Sequence, residues 1–116
     1  MTNYMQINNK KIFISDDVIA QVAGILANEC PGVVGMAMIS LKDGIYKLLK
    51  KESLKKGVEV IIDSNKLTLN LHIIVLYEIN IPNVCNSIVE SIQYTFKNVL
   101  GIEVDKINIY VEGIKF

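Results

Sequence analysis

Two spacings of apolar residues run through this chain, and the points where one gives way to the other delimit its elements. Residues 7–14, INNKKIFI, alternate weakly with Ile12 and Ile14 on one side, which predicts a short first strand. Ser15 then stands where a helix N-cap belongs, and Asp16 and Asp17 complement the positive end of a helix dipole. Val18, Ile19, Val22, Ala23, Leu26 and Cys30 fall on one stripe, so the spacing predicts a helix over 16–30. Pro31 disfavours helical geometry at the residue before it and Gly32 suits a helix exit. Val33 to Ile39 reads as a buried strand in which Gly35 marks a bulge or a close backbone approach.

The second half repeats the scheme. A crossover over 40–57 leads into strands over 58–63 and 67–78, joined by Ser64-Asn65-Lys66 as a three-residue hairpin loop. Leu67, Leu69, Leu71, Ile73, Val75 and Tyr77 share one face of the longer strand. Asn80-Ile81-Pro82 opens a second helix, since proline is tolerated in a first turn, and Gly101 closes it. Its stripe runs from Ile81 through Ile88 and Ile92 to Leu100. In 104–112, Ile107, Ile109 and Val111 alternate with Lys106, Asn108, Tyr110 and Glu112, which predicts the last strand.

The resulting order is β-α-β-(short α)-β-β-α-β. Burial is best satisfied by an α+β fold: a two-layer sandwich in which two main helices cover one face of a mixed β-sheet. Residues 1–116 read as a single domain, with residues 1–10 as a flexible lead-in or an edge strand.

Composition narrows the function classes. Apolar residues make up 51% and charged residues 21%, a balance that excludes a disordered tail. The longest apolar runs fall well short of a spanning helix, and MTNYMQINNKK lacks a signal-peptide core, so a cytoplasmic protein is expected. The net charge is zero and Arg is absent, so no specific nucleic acid is expected as a partner.

Candidate chemistry is sparse. Gly32-Val-Val-Gly35 has neither GxGxxG nor GK[ST] spacing and precedes a strand, so a turn is the better reading than a phosphate loop. Cys30 and Cys85 form no CxxC and both fall on apolar stripes, which suits packed thiols. His72 stands mid-strand on the face of Asn70 and Ile74, and catalysis there would need an acid beside it; Glu59, Asp63, Glu112 and Tyr110 are the neighbours in reach. No cofactor or metal is expected, and no enzyme.

Two surfaces are candidates for contact. The segment KDGIYKLLKKESLKKG, 42–57, carries six of the twelve lysines against Asp43 and Glu52. Drawn as a helix it sets Ile45, Tyr46, Leu48 and Leu49 against Lys47, Lys50 and Lys51, with Lys55 and Lys56 beyond, which suits weak peripheral contact with an anionic membrane or an acidic partner. The sheet face away from the helices would carry Ile61, Ile74, Leu76 and Tyr110, a partly apolar open face of the kind that marks association.

Several stretches, in order, ISDDVIAQVAGILANECPGVVGM, KGVEVIID, NIPNV and VDKINIYVEGIKF, resemble the alkaline shock protein family of low-GC Gram-positive bacteria. The likeness runs from about Lys11 to Phe116. It implies a non-enzymatic cytoplasmic protein tied to cell-envelope stress, inclined to form homo-oligomers and held at the membrane through a membrane-anchored protein partner. Gly32 and Gly35 match the family's helix-to-strand turn, and Asn80 with Pro82 its second-helix entry. Cys30 stands where an aliphatic is usual, His72 where an aromatic is usual and Leu76 where an acidic residue is common. The expectation is therefore an envelope-stress scaffold acting through self-association and docking. The alternatives are a regulatory or RNA-binding module using 42–57, and a small enzyme built on His72 or Cys85.

Overall fold

The computed structural model describes residues 2–7, 11–39 and 44–116. Of the first strand expected over 7–14, residues 8–10 lie outside the described residues and its end falls in β2, Phe13–Ser15, which pairs antiparallel with an earlier strand, β1, Tyr4–Gln6, as a small separate sheet. Met5 and Ile7 supply the buried face that the alternation assigned to Ile12 and Ile14; Ile12 is exposed, while Ile14 packs against the core.

Helix α1, Asp16–Glu29, begins as expected, with the Ser15 hydroxyl accepting from the Val18 N–H at 3.3 Å and both aspartates in the first turn. Its buried positions are Ile19, Ala20, Ala23, Gly24 and Ala27, whereas Val18 is exposed. The chain then turns at Cys30–Val33. The Val33 N–H donates to the Cys30 carbonyl at 3.1 Å, and Gly32 takes φ +93° after Pro31, the sequence pattern of a type II turn. The Gly32 carbonyl in turn accepts from the Leu76 N–H at 3.0 Å, which ties the turn to the sheet.

Strand β3, Val33–Ile39, carries a bulge between Val33 and Gly35. A Cβ on Gly35 would lie 2.7 Å from the Leu48 Cδ1, a side chain rather than backbone, so of the two readings of this glycine it is the bulge that the structure has. The helix expected within 42–57 does not form over 44–57, and residues 42 and 43 lie outside the described residues. Tyr46–Leu48 is a strand, β4, antiparallel to β3, and Lys51–Gly57 is a 3-10 helix kinked at Ser53. The cause is local: alternation of Tyr46 and Leu48 suits a strand docked on β3, and the 3-10 segment buries Leu54 against α1. There a Cβ on Gly24 would sit 3.0 Å from the Leu54 carbonyl oxygen.

β5, Val58–Asp63, and β6, Lys66–Leu76, form a hairpin whose loop is two residues rather than three. Ser64 and Asn65 take φ of 50° and 58° and Lys66 pairs with Asp63, which fits a type I′ turn. The strand β6 is central, with Leu67, Leu69, Leu71, Ile73 and Val75 fully buried; Tyr77 lies past its end and is exposed. Helix α2, Ile81–Thr95, starts from Asn80, whose side chain accepts from the Asn83 N–H at 3.0 Å. It ends in a π-helical turn, Phe96–Leu100, stopped by Gly101 at φ 73°. This crossover lets β7, Val104–Lys115, run parallel to β6.

Because β7 occupies one edge of β6 along its length, β5 and β3 share the other, β5 beside the first half and β3 beside the second. The sheet is mixed, and α1 and α2 pack on its inner face against each other, giving the expected α+β sandwich.

Candidate functional site on the open sheet face

The register of β5, β6 and β7 decides what the face away from the helices displays. Inward leucines on β6 leave Thr68, Asn70, His72, Ile74 and Leu76 outward, and the parallel pairing sets Asn108 beside Asn70 and Tyr110 beside His72. A bulge between the pairs Ile73/Val111 and Ile74/Gly113 leaves Glu112 as an extra residue in β7, on the same face as Tyr110, with its carboxylate against His72.

Two bonded rows cross the face. In one, the Asn108 amide donates to the Asn70 carbonyl oxygen at 2.9 Å and the Asn70 amide donates to Glu59 at 2.8 Å, joining three strands. In the other, His72 is stacked between Tyr110, at 4.9 Å between ring centroids, and Tyr46, at 5.8 Å. The His72 Nδ1 lies 2.6 Å from the Glu112 Oε2, both side chains being largely covered. The Tyr46 hydroxyl also bonds Glu112, and this bond, with desolvation and the carboxylate's charge behind it, holds the phenol above its ordinary value. One carboxylate thus fastens β4 and β6 to β7. Beside the rings, Ala37, Met38, Tyr46, Lys56, Glu59 and His72 help to line a cleft of about 340 Å³.

Of the four apolar face residues expected, Ile74 and Leu76 face outward toward the end of β6 and Tyr110 lies beside His72, while Tyr77 and Phe116, whose rings are 4.6 Å apart, follow the ends of β6 and β7. Gly113 lies across from Ile74 and adds no side chain to cover it. Ile61 does not join them: it pairs with Thr68, eight residues and about 27 Å from Leu76 along the strand, with the polar rows between.

Among the described residues, the lysines of 44–57 are divided between a strand and a 3-10 helix rather than gathered on one helical face. Lys47 points to the opposite side of β4 from Tyr46 and Leu48, so no amphipathic helix sets lysines against leucines. Lys50 precedes the 3-10 helix, Lys51 begins it, and Lys55 is engaged with Asp17 at 2.8 Å. Lys56 alone of these borders the open-face cleft among the described residues.

Cys30 is buried in the core and Cys85 is half-buried. The Cys30 Sγ donates to the Leu26 carbonyl at 3.4 Å, and burial, with the Glu29 charge behind it, pushes its pKa up. Burial also raises Cys85. Neither is poised as a thiolate.

Sequence reasoning finds His72, Tyr110 and Glu112 as potential neighbours but misses Tyr46 and the Glu59–Asn70–Asn108 row. The outward alternation of β6 and β7 carries a signal for the asparagines; Tyr46 is hidden when it is drawn on a helix.

No helix among the described residues is long and apolar enough to cross a membrane. No solved structure matches this chain. Among known proteins, the uncharacterized protein YloU of Bacillus subtilis is 38% identical over 98% of this chain and 92% of its own length. The uncharacterized protein Spy1614 of Streptococcus pyogenes is 39% identical over 96% of this chain and 94% of its own length. A stress response regulator gls24 homolog of Streptococcus pyogenes is 27% identical over 86% of this chain but 56% of its own length. Residues 4–116 match the alkaline shock protein 23 family, described as having a cell envelope-related function, and the chain therefore belongs to that family.

Proposed function

We propose that the protein is a non-enzymatic envelope-stress scaffold that self-associates and docks a membrane-linked protein through the open sheet face. The observation that carries this reading is the bonded frame of Tyr46, His72, Tyr110 and Glu112 beside half-buried Ile74 and exposed Leu76. Such a frame holds a flat surface of fixed shape, so a partner meets side chains already ordered. Leu76 is 47% exposed, and covering it releases roughly 1 kcal/mol, enough for one anchor of a contact that tyrosine rings extend.

The reading fits a chain of a cell-envelope-related family with a stress response regulator homolog among its relatives. Membrane attachment then rests on a protein partner, since the lysine segment lacks the apolar helical face that direct insertion needs. The test is replacement of the native gene by Leu76→Glu, a change on an exposed side chain. Cells carrying it are expected to fail under envelope stress as a deletion strain does; wild-type tolerance with normal protein level refutes the reading.

A further inference from the structure

Among the described residues β7 pairs with β6 alone, so its outer edge runs with unpaired backbone groups over Val104–Lys115. It is the longest strand, contains no proline, and is uncharged from Ile107 to Val111. Its inner residues Ile107, Ile109 and Val111 are only partly buried, whereas Leu69, Leu71 and Ile73 beside them on β6 are fully buried. The inner layer is thus left open along this edge. An edge of this kind is a template for another strand.

We infer that the occupant is a second copy of the chain, whose β7 pairs antiparallel with this one about a two-fold axis at Ile109. The inference rests on the reading that the protein self-associates, and it assigns that association to the strand edge rather than to the open face.

The two faces of the strand choose the register. Centred on Ile109, exposed Glu103 lies opposite the second copy's exposed Lys115, and symmetry makes the pair twice, while Lys106 lies opposite Glu112, whose carboxylate stays with His72 and Tyr46. On the inner face Ile107 meets Val111 and Val104 meets Ile114, while on the outer face Asn108 meets Tyr110. Asp105, an extra residue at the bulge between Val104 and Lys106, meets Gly113. Every pair sets inward against inward or outward against outward. Moving the centre to Asn108 sets inward Val104 and Val111 against outward Glu112 and Asp105, moving it to Tyr110 sets inward Ile107 and Ile114 against outward Gly113 and Lys106, and moving it by half a step sets inward residues against outward ones. The joined sheet carries two His72 and Tyr110 frames side by side, so one dimer offers a bivalent docking face.

Sedimentation equilibrium of the full chain tests this. The wild type is expected to move from 13.0 kDa to twice that mass as concentration rises. Lys115→Glu, on an exposed side chain, sets like charges together at two sites and is expected to weaken the dimer by about tenfold or more. The Glu103→Lys/Lys115→Glu exchange is expected to restore it. In a Cys30→Ala/Cys85→Ala background, Ile109→Cys is expected to form a disulfide-linked dimer on oxidation. Asp105→Cys is expected not to, since it lies roughly 27 Å from its counterpart. A dimer indifferent to Lys115→Glu, or linked through position 105 and not 109, overturns the β7 edge while leaving self-association standing. A wild type that stays monomeric at every concentration overturns both.

Discussion

Removing His72 and Glu112 singly and together measures whether the open face is a bonded frame. The pair is 2.6 Å apart, with 25% and 18% of the two side chains exposed, so it is neither a screened surface contact nor a dry one. A charged hydrogen bond in a protein contributes roughly 1.5–3 kcal/mol, and partial exposure places this one near the lower end, about 1.5 kcal/mol. Glu112→Ala also removes the acceptor of Tyr46, so its single loss is expected to exceed that of His72→Ala. For 116 residues the unfolding entropy is about 0.24 kcal/mol per kelvin, so the coupling corresponds to roughly 6 °C. Urea or thermal unfolding of the wild type, His72→Ala, Glu112→Ala and the double variant gives the coupling directly. Effects that add to within about 0.3 kcal/mol would mean the two side chains share the face without holding it, and the preorganised surface would go with them.

Gly32→Ala is expected to cost roughly 2–4 kcal/mol, from left-handed strain and from the Val84 Cγ2 that would lie 2.8 Å from the new methyl, whereas Gly44→Ala, with nothing within 4 Å, loses only the backbone part. Equal melting temperatures for the two would refute the tight turn. Burial raises both thiols, so the folded state keeps them neutral where the unfolded chain ionises. Their contribution is full below the unfolded thiol value of about 8.5 and is lost as pH rises through the higher folded values. Urea midpoints are therefore expected to fall above that pH, and to fall less steeply in Cys30→Ala/Cys85→Ala; parallel slopes would contradict the assignment. Flotation with anionic vesicles is expected to be weak at low salt and absent at physiological salt, because Lys55 is held by Asp17 and no amphipathic helix forms over 44–57. Flotation with neutral vesicles would require an apolar insertion that this fold does not display.

Long periodic segments are readable in the sequence because many residues vote for one period. The five inward positions of β6, the Ser15 and Asn80 caps and the glycine stop of α2 all stand where the pattern puts them. Three-residue strands carry too few apolar positions to fix a period, which is why alternation passes over β1 and draws Tyr46–Leu48 into a helix. The outward direction of His72 and Tyr110 follows from alternation alone. Their contact with Glu112 does not: alternation sets Glu112 on the same face, but its place against His72 depends on the parallel register and on a bulge that leaves Glu112 with no partner of its own on β6. Pattern likewise groups Ile61 with Leu76, and only the pairing of Ile61 with Thr68 separates them.

The central claim is that the open face holds the protein at the membrane through a partner. Fractionation of cells making the wild type or Leu76→Glu, each at native level and with the purified proteins compared for melting temperature, tests it most directly. The account predicts the wild type in the membrane fraction and Leu76→Glu, equally stable, in the supernatant. A Leu76→Glu protein that remains in the membrane fraction would contradict it.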